Sequence, residues 1–237
     1  SWMLRFHTQT AGVTLTAQQP DNNVIRTTVQ ALSAILGGTQ SLHVNSRDEA
    51  LSLPTEESVQ ISLRTQQILA HESGVTETVD PLAGSYYVEN LTDRLEAAAF
   101  EYIDEIDRMG GAVSALESGY QTREIHESAF KHQREVESED RVVVGVNRYR
   151  TDEPPIGKLQ TIDPKETAKQ VERVKRVRNE RDSSVTQAAL DRLKTIASGS
   201  DNTVPSILEC VEAYATVGEI ADVFRRIFGE QQDASGM

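Results

Sequence analysis

The sequence predicts an α/β fold: a βαβ unit at the N-terminus followed by a mostly helical remainder. Three observations carry this. A short β-prone run, Trp2-Met3-Leu4 with Phe6, leads into Arg5-Phe6-His7-Thr8-Gln9-Thr10-Ala11-Gly12, where apolar residues give way to hydroxyls, an amide and an imidazole. That switch reads as a strand ending in a polar loop. Val24, Ile25, Val29, Leu32, Ile35 and Leu36 then recur at helical spacing and stop at Gly37-Gly38. Thr39-Gln40-Ser41-Leu42-His43-Val44-Asn45 follows as a second short strand, ending in Ser46-Arg47-Asp48-Glu49-Ala50. A strand, a crossover helix and a second strand make a parallel pair, and α/β folds bind ligands at the C-terminal ends of such strands.

Each later element has its own local reason. Pro20 with Asp21, Asn22 and Asn23 suits a helix start. Pro54-Thr55-Glu56-Glu57 opens another helix, with Ile61, Leu63, Ile68 and Leu69 as its apolar side and an end near Ser73-Gly74. Asp80-Pro81-Leu82-Ala83-Gly84-Ser85 reads as a tight connector whose Gly84 approaches a ligand or a neighbouring element. Tyr86 to Met109 is a long helix with Thr92 capping its main part and Gly110-Gly111 ending it. Thr122 to Glu137 is a second long helix, and Val142-Val143-Val144-Gly145-Val146 reads as a third strand. Thr151-Asp152-Glu153-Pro154-Pro155 is a linker. Pro164 to Asp182 is a charged, solvated helix, Val185 to Ala197 continues as helix, and Val204–Ala215 and Val217–Phe228 are short amphipathic helices before a frayed tail, 231–237.

Composition narrows the function classes. The chain has 237 residues and a net charge of −13, so nucleic-acid backbones and anionic membrane surfaces repel it. No apolar run approaches the ~20 residues of a membrane span. Cys210 is the single cysteine, which fits a reducing cytoplasm. The sequence opens on Ser inside a strand, so a fragment, or a chain that completes another chain, is expected. A phosphate loop is missing, because Gly37-Gly38 precedes a strand instead of following one.

Five histidines are present, with no HExxH and no Cys/His cluster, which argues against a protein-held metal. His126 and His132 read as surface residues. His7 and His43 lie at strand ends, each accompanied by a glutamine, Gln9 and Gln40. Residues i and i+2 share a strand face, so Arg5, His7 and Gln9 are expected to point together toward an interior. Burying that trio is costly unless something polar meets it, either a substrate or groups from further strands. Asp48-Glu49 is either a charge at a helix start or a carboxylate that holds a diol such as a ribose. No Ser/His/Asp order and no paired acid–base carboxylates stand out.

Four stretches resemble the large, catalytic subunit of the methylmalonyl-CoA mutase and acyl-CoA mutase family. They are Arg5–Gly12, Gly37–His43 with Asp48-Glu49-Ala50, Asp80–Tyr87, and Val144-Gly145-Val146-Asn147-Arg148-Tyr149. The likeness continues to Ala215-Thr216-Val217-Gly218-Glu219-Ile220. It implies the C-terminal portion of a (β/α)8 TIM barrel, the last two strands, followed by a mostly helical extension. Residues 1–80 would be the last βα units, 81–150 a helical segment with a short strand packed on the barrel, and 151–237 a charged linker and helical region.

The resemblance also implies an enzyme of the isomerase class. It would catalyse a radical carbon-skeleton rearrangement dependent on adenosylcobalamin, with (R)-methylmalonyl-CoA to succinyl-CoA as the first expectation. Relatives acting on isobutyryl-CoA or 2-hydroxyisobutyryl-CoA, or a non-catalytic assembly subunit, are the alternatives. Arg5 and His7 would face the acyl-CoA, with Gln9 between substrate and corrin. Gln40 would line the same cavity. Glu49 and Ala50 would contact the cobalamin, Glu49 near the adenosyl ribose, and Gln133 would be a further corrin neighbour. The family's acid histidine, wedging tyrosine, carboxylate-binding arginine and cobalt-ligating domain have no counterpart in this sequence. The resemblance therefore predicts no catalytic residue and no isomerisation from this chain alone, a separate cobalamin-binding small subunit or domain, and a hetero-oligomer.

Overall fold

The computed structural model describes residues 4–152 and 159–230. Trp2 and Met3 of the expected first strand, Glu153-Pro154-Pro155 of the linker and the 231–237 tail lie outside the described residues. The chain divides into an N-terminal unit, residues 1–161, and a C-terminal unit, residues 162–237. Among the described residues, no helix is long and apolar enough to cross a membrane.

The N-terminal unit is built on the expected parallel pair. Strand β1 is His7–Gln9 and β2 is Ser41–His43, in the register His7 to Ser41, Thr8 to Leu42 and Gln9 to His43. Between them run a 3-10 turn, Gly12–Thr14, and helix α1, Asn22–Leu36. Helix α2, Glu56–His71, follows β2 and packs against α1. Ala31 of α1, Val44 after β2 and Leu69 of α2 form the small core, with Leu32, Ile35 and Leu42 against it.

The buried stripe of α1 is not the apolar one. Asn23, Thr27 and Ala31 are buried at i, i+4 and i+8, whereas Ile25 and Val29 are 65% and 58% exposed. Short polar side chains enter here because each finds partners: Asn23 in the loops at Thr16 and Arg47, and Thr27 in the Asn23 and Val24 carbonyls of its own helix. In α2, likewise, Ser58, Thr65 and Leu69 are buried while Leu63 and Ile68 are half exposed.

Helices α3, Tyr86–Arg108, α4, Ala112–Glu117, and α5, Tyr120–Glu137, complete the helical part of this unit. Thr92 is no cap: it sits inside α3 and donates to the Val88 carbonyl at 2.9 Å, as mid-helix threonines do. Ser85 occupies the cap position, and the Glu89 carboxylate reaches back to the Gly84 N–H at 2.9 Å. Gly84 has φ +78° and no neighbouring group within 4 Å of an added Cβ, so backbone conformation, not close approach, calls for glycine there. The expected strand Val142–Val146 is absent. One isolated bridge joins Val144 to Arg148, and Asn147 Oδ1 takes the Val143 N–H at 2.8 Å. A β-branched run without a partner strand cannot form a ladder, and Asn147 supplies a turn instead.

In the C-terminal unit, α6, Pro164–Glu180, is a solvated charged helix with no buried residue, as expected. It does not run on into α7, Ser183–Ala197. Arg181 is extended at ψ 157°, and Asp182 caps α7 through Oδ1 to the N–H groups of Ser184 and Val185. The hydrogen bond from the Ser184 hydroxyl, together with those two, holds the Asp182 carboxyl below its usual range. Helices α8, Val204–Glu212, and α9, Val217–Phe228, pack on α7 around Ala189, Leu193, Cys210 and Val223.

Candidate functional site

The parallel pair has two unlike faces. Thr8 and Leu42 are half-buried on the side of α1, and Leu42 joins the core. His7, Gln9, Ser41 and His43 alternate onto the other face and are exposed. Arg5 is exposed as well. The trio expected to face an interior therefore lies on the open side of the sheet, because α1 covers only the opposite side. His7 Nδ1 and Ser41 Oγ share a hydrogen bond of 2.7 Å directly across the ladder.

Beyond the strand ends the site tightens around Asn45. Its Oδ1 accepts from Gln9 Nε2 at 3.2 Å and from Thr10 Oγ1 at 3.0 Å, and its backbone N–H donates to Thr10 Oγ1 at 2.9 Å. Asn45 is 2% exposed, yet its Nδ2 is a buried donor with no acceptor among the described residues. Gly12 faces that donor. An added Cβ would stand 2.9 Å from Asn45 Nδ2 and 3.4 Å from Glu49 Oε1. No positive φ demands glycine here; the space does. Gly12, Asn45 and Glu49 thus form a notch with one unused amide donor and one exposed carboxylate.

Gly12→Ala is expected to destabilise the N-terminal unit by about 1–3 kcal/mol, since Asn45 is pinned and cannot simply rotate away. Denaturant unfolding measures this. An unchanged midpoint would show that the notch yields freely.

The two readings of Asp48-Glu49 separate cleanly. Asp48 is buried, and its Oδ2 accepts from Thr55 N at 3.0 Å, which places it at the start of α2 as the helix-start charge. Its Oδ1 is a second buried atom without a partner among the described residues. Glu49 is exposed beside Gly12, and Ala50 after it is exposed as well.

Gln40 is differently employed. It precedes β2, accepts from Phe6 N at 2.7 Å and donates to Gly38 O at 2.7 Å, so its amide joins the N-terminal ends of the two strands. Gln133 is exposed on α5 and donates to Glu137 Oε1 at 2.8 Å. The structure thus gathers Gln9 and Glu49 with Gly12 and Asn45 at one end of the strands, and no hydrogen bond brings Gln40 or Gln133 there. Sequence reasoning missed Ser41, Asn45 and Thr10. Ser41 and Asn45 carry a signal, since both lie at even spacing from His43 and share its strand phase.

The family model described as methylmalonyl-CoA mutase matches residues 1–230. The methylmalonyl-CoA mutase of Rhizobium meliloti is 48% identical over 97% of this chain and 33% of its own length. The large subunit of 2-hydroxyisobutanoyl-CoA mutase from Aquincola tertiaricarbonis is 43% identical over 98% of this chain and 42% of its own. The mitochondrial methylmalonyl-CoA mutase of Homo sapiens is 40% identical over 98% and 31%. The chain therefore spans a third to two-fifths of the length of such relatives. With a model match that takes in both strand ends, the notch and all nine helices described above, this chain belongs to the methylmalonyl-CoA mutase family.

Proposed function

We propose that this chain contributes two neighbouring strands to the (β/α)8 barrel of an adenosylcobalamin-dependent acyl-CoA mutase, with (R)-methylmalonyl-CoA to succinyl-CoA as its isomerisation. The observation that carries this is the open polar face of a parallel pair ending in a notch, within a chain of this family. The face needs a cover: exposed backbone edges and an uncovered sheet side suit further barrel strands.

The residues present fit the cofactor. The unused Asn45 Nδ2–H and the exposed Glu49 carboxylate offer one donor and one acceptor across the space that Gly12 leaves, which suits a ribose diol. When bound, adenosylcobalamin supplies the radical chemistry of the rearrangement. This chain's own groups bind and orient. Arg5 and His7 present charge and an imidazole to the acyl-CoA, with Ser41 steadying the ring. Gln9, tethered to Asn45, lies between the strand face and the notch and keeps its amide directed. The cobalt's protein ligand comes from a separate cobalamin-binding subunit or domain, which makes the working enzyme a hetero-oligomer or a longer polypeptide in the reducing cytoplasm.

A second reading is favoured by the 43% identity to a 2-hydroxyisobutanoyl-CoA mutase large subunit. In that reading the same surface serves a different acyl chain. Combining this chain with the remaining length of a mutase, a cobalamin-binding subunit and adenosylcobalamin is expected to give succinyl-CoA from methylmalonyl-CoA. Turnover of only the 2-hydroxyisobutyryl thioester selects the second reading, and a well-folded mixture with no turnover rejects both. Glu49→Ala in the active mixture is expected to weaken adenosylcobalamin binding roughly 10- to 100-fold, the value of a hydrogen bond to a charged group. Unaltered affinity would remove Glu49 from the ribose site.

A further inference from the structure

We infer that Asn23 is a positioning residue: it clamps the loop after β1 to the loop after β2 and so sets the spacing of the Gly12–Glu49 notch. The inference deepens the mutase reading and rests on it for its functional half. Asn23 is fully buried in the first turn of α1. A carboxamide has two donor hydrogens and two acceptor lone pairs, and here all four are used. Asn23 Oδ1 accepts from Thr16 N at 3.1 Å and from Arg26 Nη1 at 2.8 Å. Asn23 Nδ2 donates to Thr16 O at 2.9 Å and to Arg47 O at 2.8 Å.

Thr16 lies in the loop after β1, and Arg47 lies in the loop after β2. One rigid group on a helix therefore joins two segments that are 31 residues apart in the chain. Arg26 extends the clamp, donating to Thr16 Oγ1 at 2.9 Å and to the Val144 carbonyl at 2.8 Å. Nearer the strands the same two loops are tied again by Thr10 and Asn45. Gly12 falls between these two ties in the first loop, and Glu49 follows the Arg47 tie in the second, its N–H held by the Ser46 carbonyl at 3.1 Å. The clamp thus sets how far apart the two loops stand where they form the notch. An asparagine at the start of a helix ordinarily acts as a cap. Asn23 does not, for Asp21 holds the cap position.

The test has two parts. In this chain, Asn23→Asp keeps both acceptor roles but turns lone pairs toward Thr16 O and Arg47 O. Amide exchange should rise tenfold or more in residues 11–18 and 45–52 together, with the amides of α7 unchanged as reference. Arg26→Ala, a milder change that leaves the carboxamide in place, should loosen the same two loops to a smaller extent. Exchange confined to one loop, or unchanged in both, overturns the clamp. In the reconstituted mutase, Asn23→Asp should raise the adenosylcobalamin Kd about tenfold while the acyl-CoA KM moves less than twofold. The split is expected because Arg5 and His7 sit on β1 and at its start, outside the clamped loops. Equal losses in both constants would mean general destabilisation and overturn the positioning role. If the wild-type mixture shows no turnover, the mutase reading fails, and the exchange result still decides the clamp.

Discussion

Replacing Arg181 with alanine is expected to lower the stability of the C-terminal unit by about 2–3 kcal/mol, below the ~3–5 kcal/mol of a fully buried ion pair because this one is only partly buried. The Arg181 side chain is 9% exposed. It makes two parallel bonds to Glu219, Nη1 to Oε2 at 2.7 Å and Nη2 to Oε1 at 2.6 Å, and a third from Nη1 to the Tyr214 carbonyl at 2.8 Å. Glu219 in turn completes the capping box of α9: its Oε2 accepts from Thr216 N and Thr216 Oγ1. The guanidinium thus closes the corner between α8 and α9, where Tyr214 takes the left-handed conformation at φ +58°. Alanine would leave a shielded carboxylate and an unpaired carbonyl. Arg178, 3.3 Å from Glu219 and 55% exposed, recovers only part of the attraction because water screens it.

The same pair sets an acid limit. The hydrogen bonds from Arg181 hold the Glu219 carboxyl down from its usual 4.5 to about 2. The unfolded chain takes up that proton near the usual value, so it binds more protons at intermediate pH. The stabilisation is complete above pH 4.5 and is lost as pH falls through about 2. A shift of this size corresponds to roughly 3 kcal/mol. Urea unfolding of the whole chain, followed at α9 amides, should lose stability on the acid side more steeply in the wild type than in Glu219→Gln. Equal slopes would show that Glu219 does not carry the effect.

Leu193→Ala is expected to cost roughly 2–5 kcal/mol, the range for emptying a packed leucine site. Leu193 has no exposure and lies between Ala189, Cys210 and Val223, with Ile207, Ile220 and Phe224 against them. These neighbours come from three helices, and each is held by its own cap or turn, so the site cannot collapse freely. Cys210 reports on it. Burial pushes its thiol pKa up, so it should react slowly with thiol reagents in the wild type and much faster in the variant. A loss under about 1 kcal/mol with an unreactive Cys210 would mean that the surrounding helices close the gap.

Much of the fold is legible in local pattern. The helix Tyr86–Arg108 follows from apolar spacing and its glycine stop, the helix Tyr120–Glu137 from apolar spacing, and the Asp163 and Thr216 caps suit the helix starts they occupy. Val142–Val146 shows the limit. Its composition is that of a strand, but a strand exists only where a neighbour accepts its hydrogen bonds, and Asn147 and Gly145 N to Arg148 O claim those groups.

The site divides in the same way. The parallel register that puts His7 beside Ser41 and Gln9 beside His43 is implicit in a strand, a helix and a second strand. Glu49 stands out as an acid beyond a strand end, yet nothing in the dipeptide distinguishes it from Asp48. The difference arises because Thr55, seven residues later, draws Asp48 inward to the start of α2.

By itself, then, the sequence determines the βαβ order at the N-terminus, the long helices and the polar character of the strand ends, since local patterning fixes each element and a strand, a crossover helix and a strand pair in parallel. The tertiary structure alone decides that Asn23 is a clamp and not a cap, that Asn45 keeps an unused donor over Gly12, and that Arg181 is the closing residue of the C-terminal bundle. Each of these depends on a hydrogen-bond partner 24 to 38 residues away, or on the lack of one. Periodicity does not encode a partner at that distance; chain geometry does, because a buried polar group is stable only where the folded backbone happens to bring its complement.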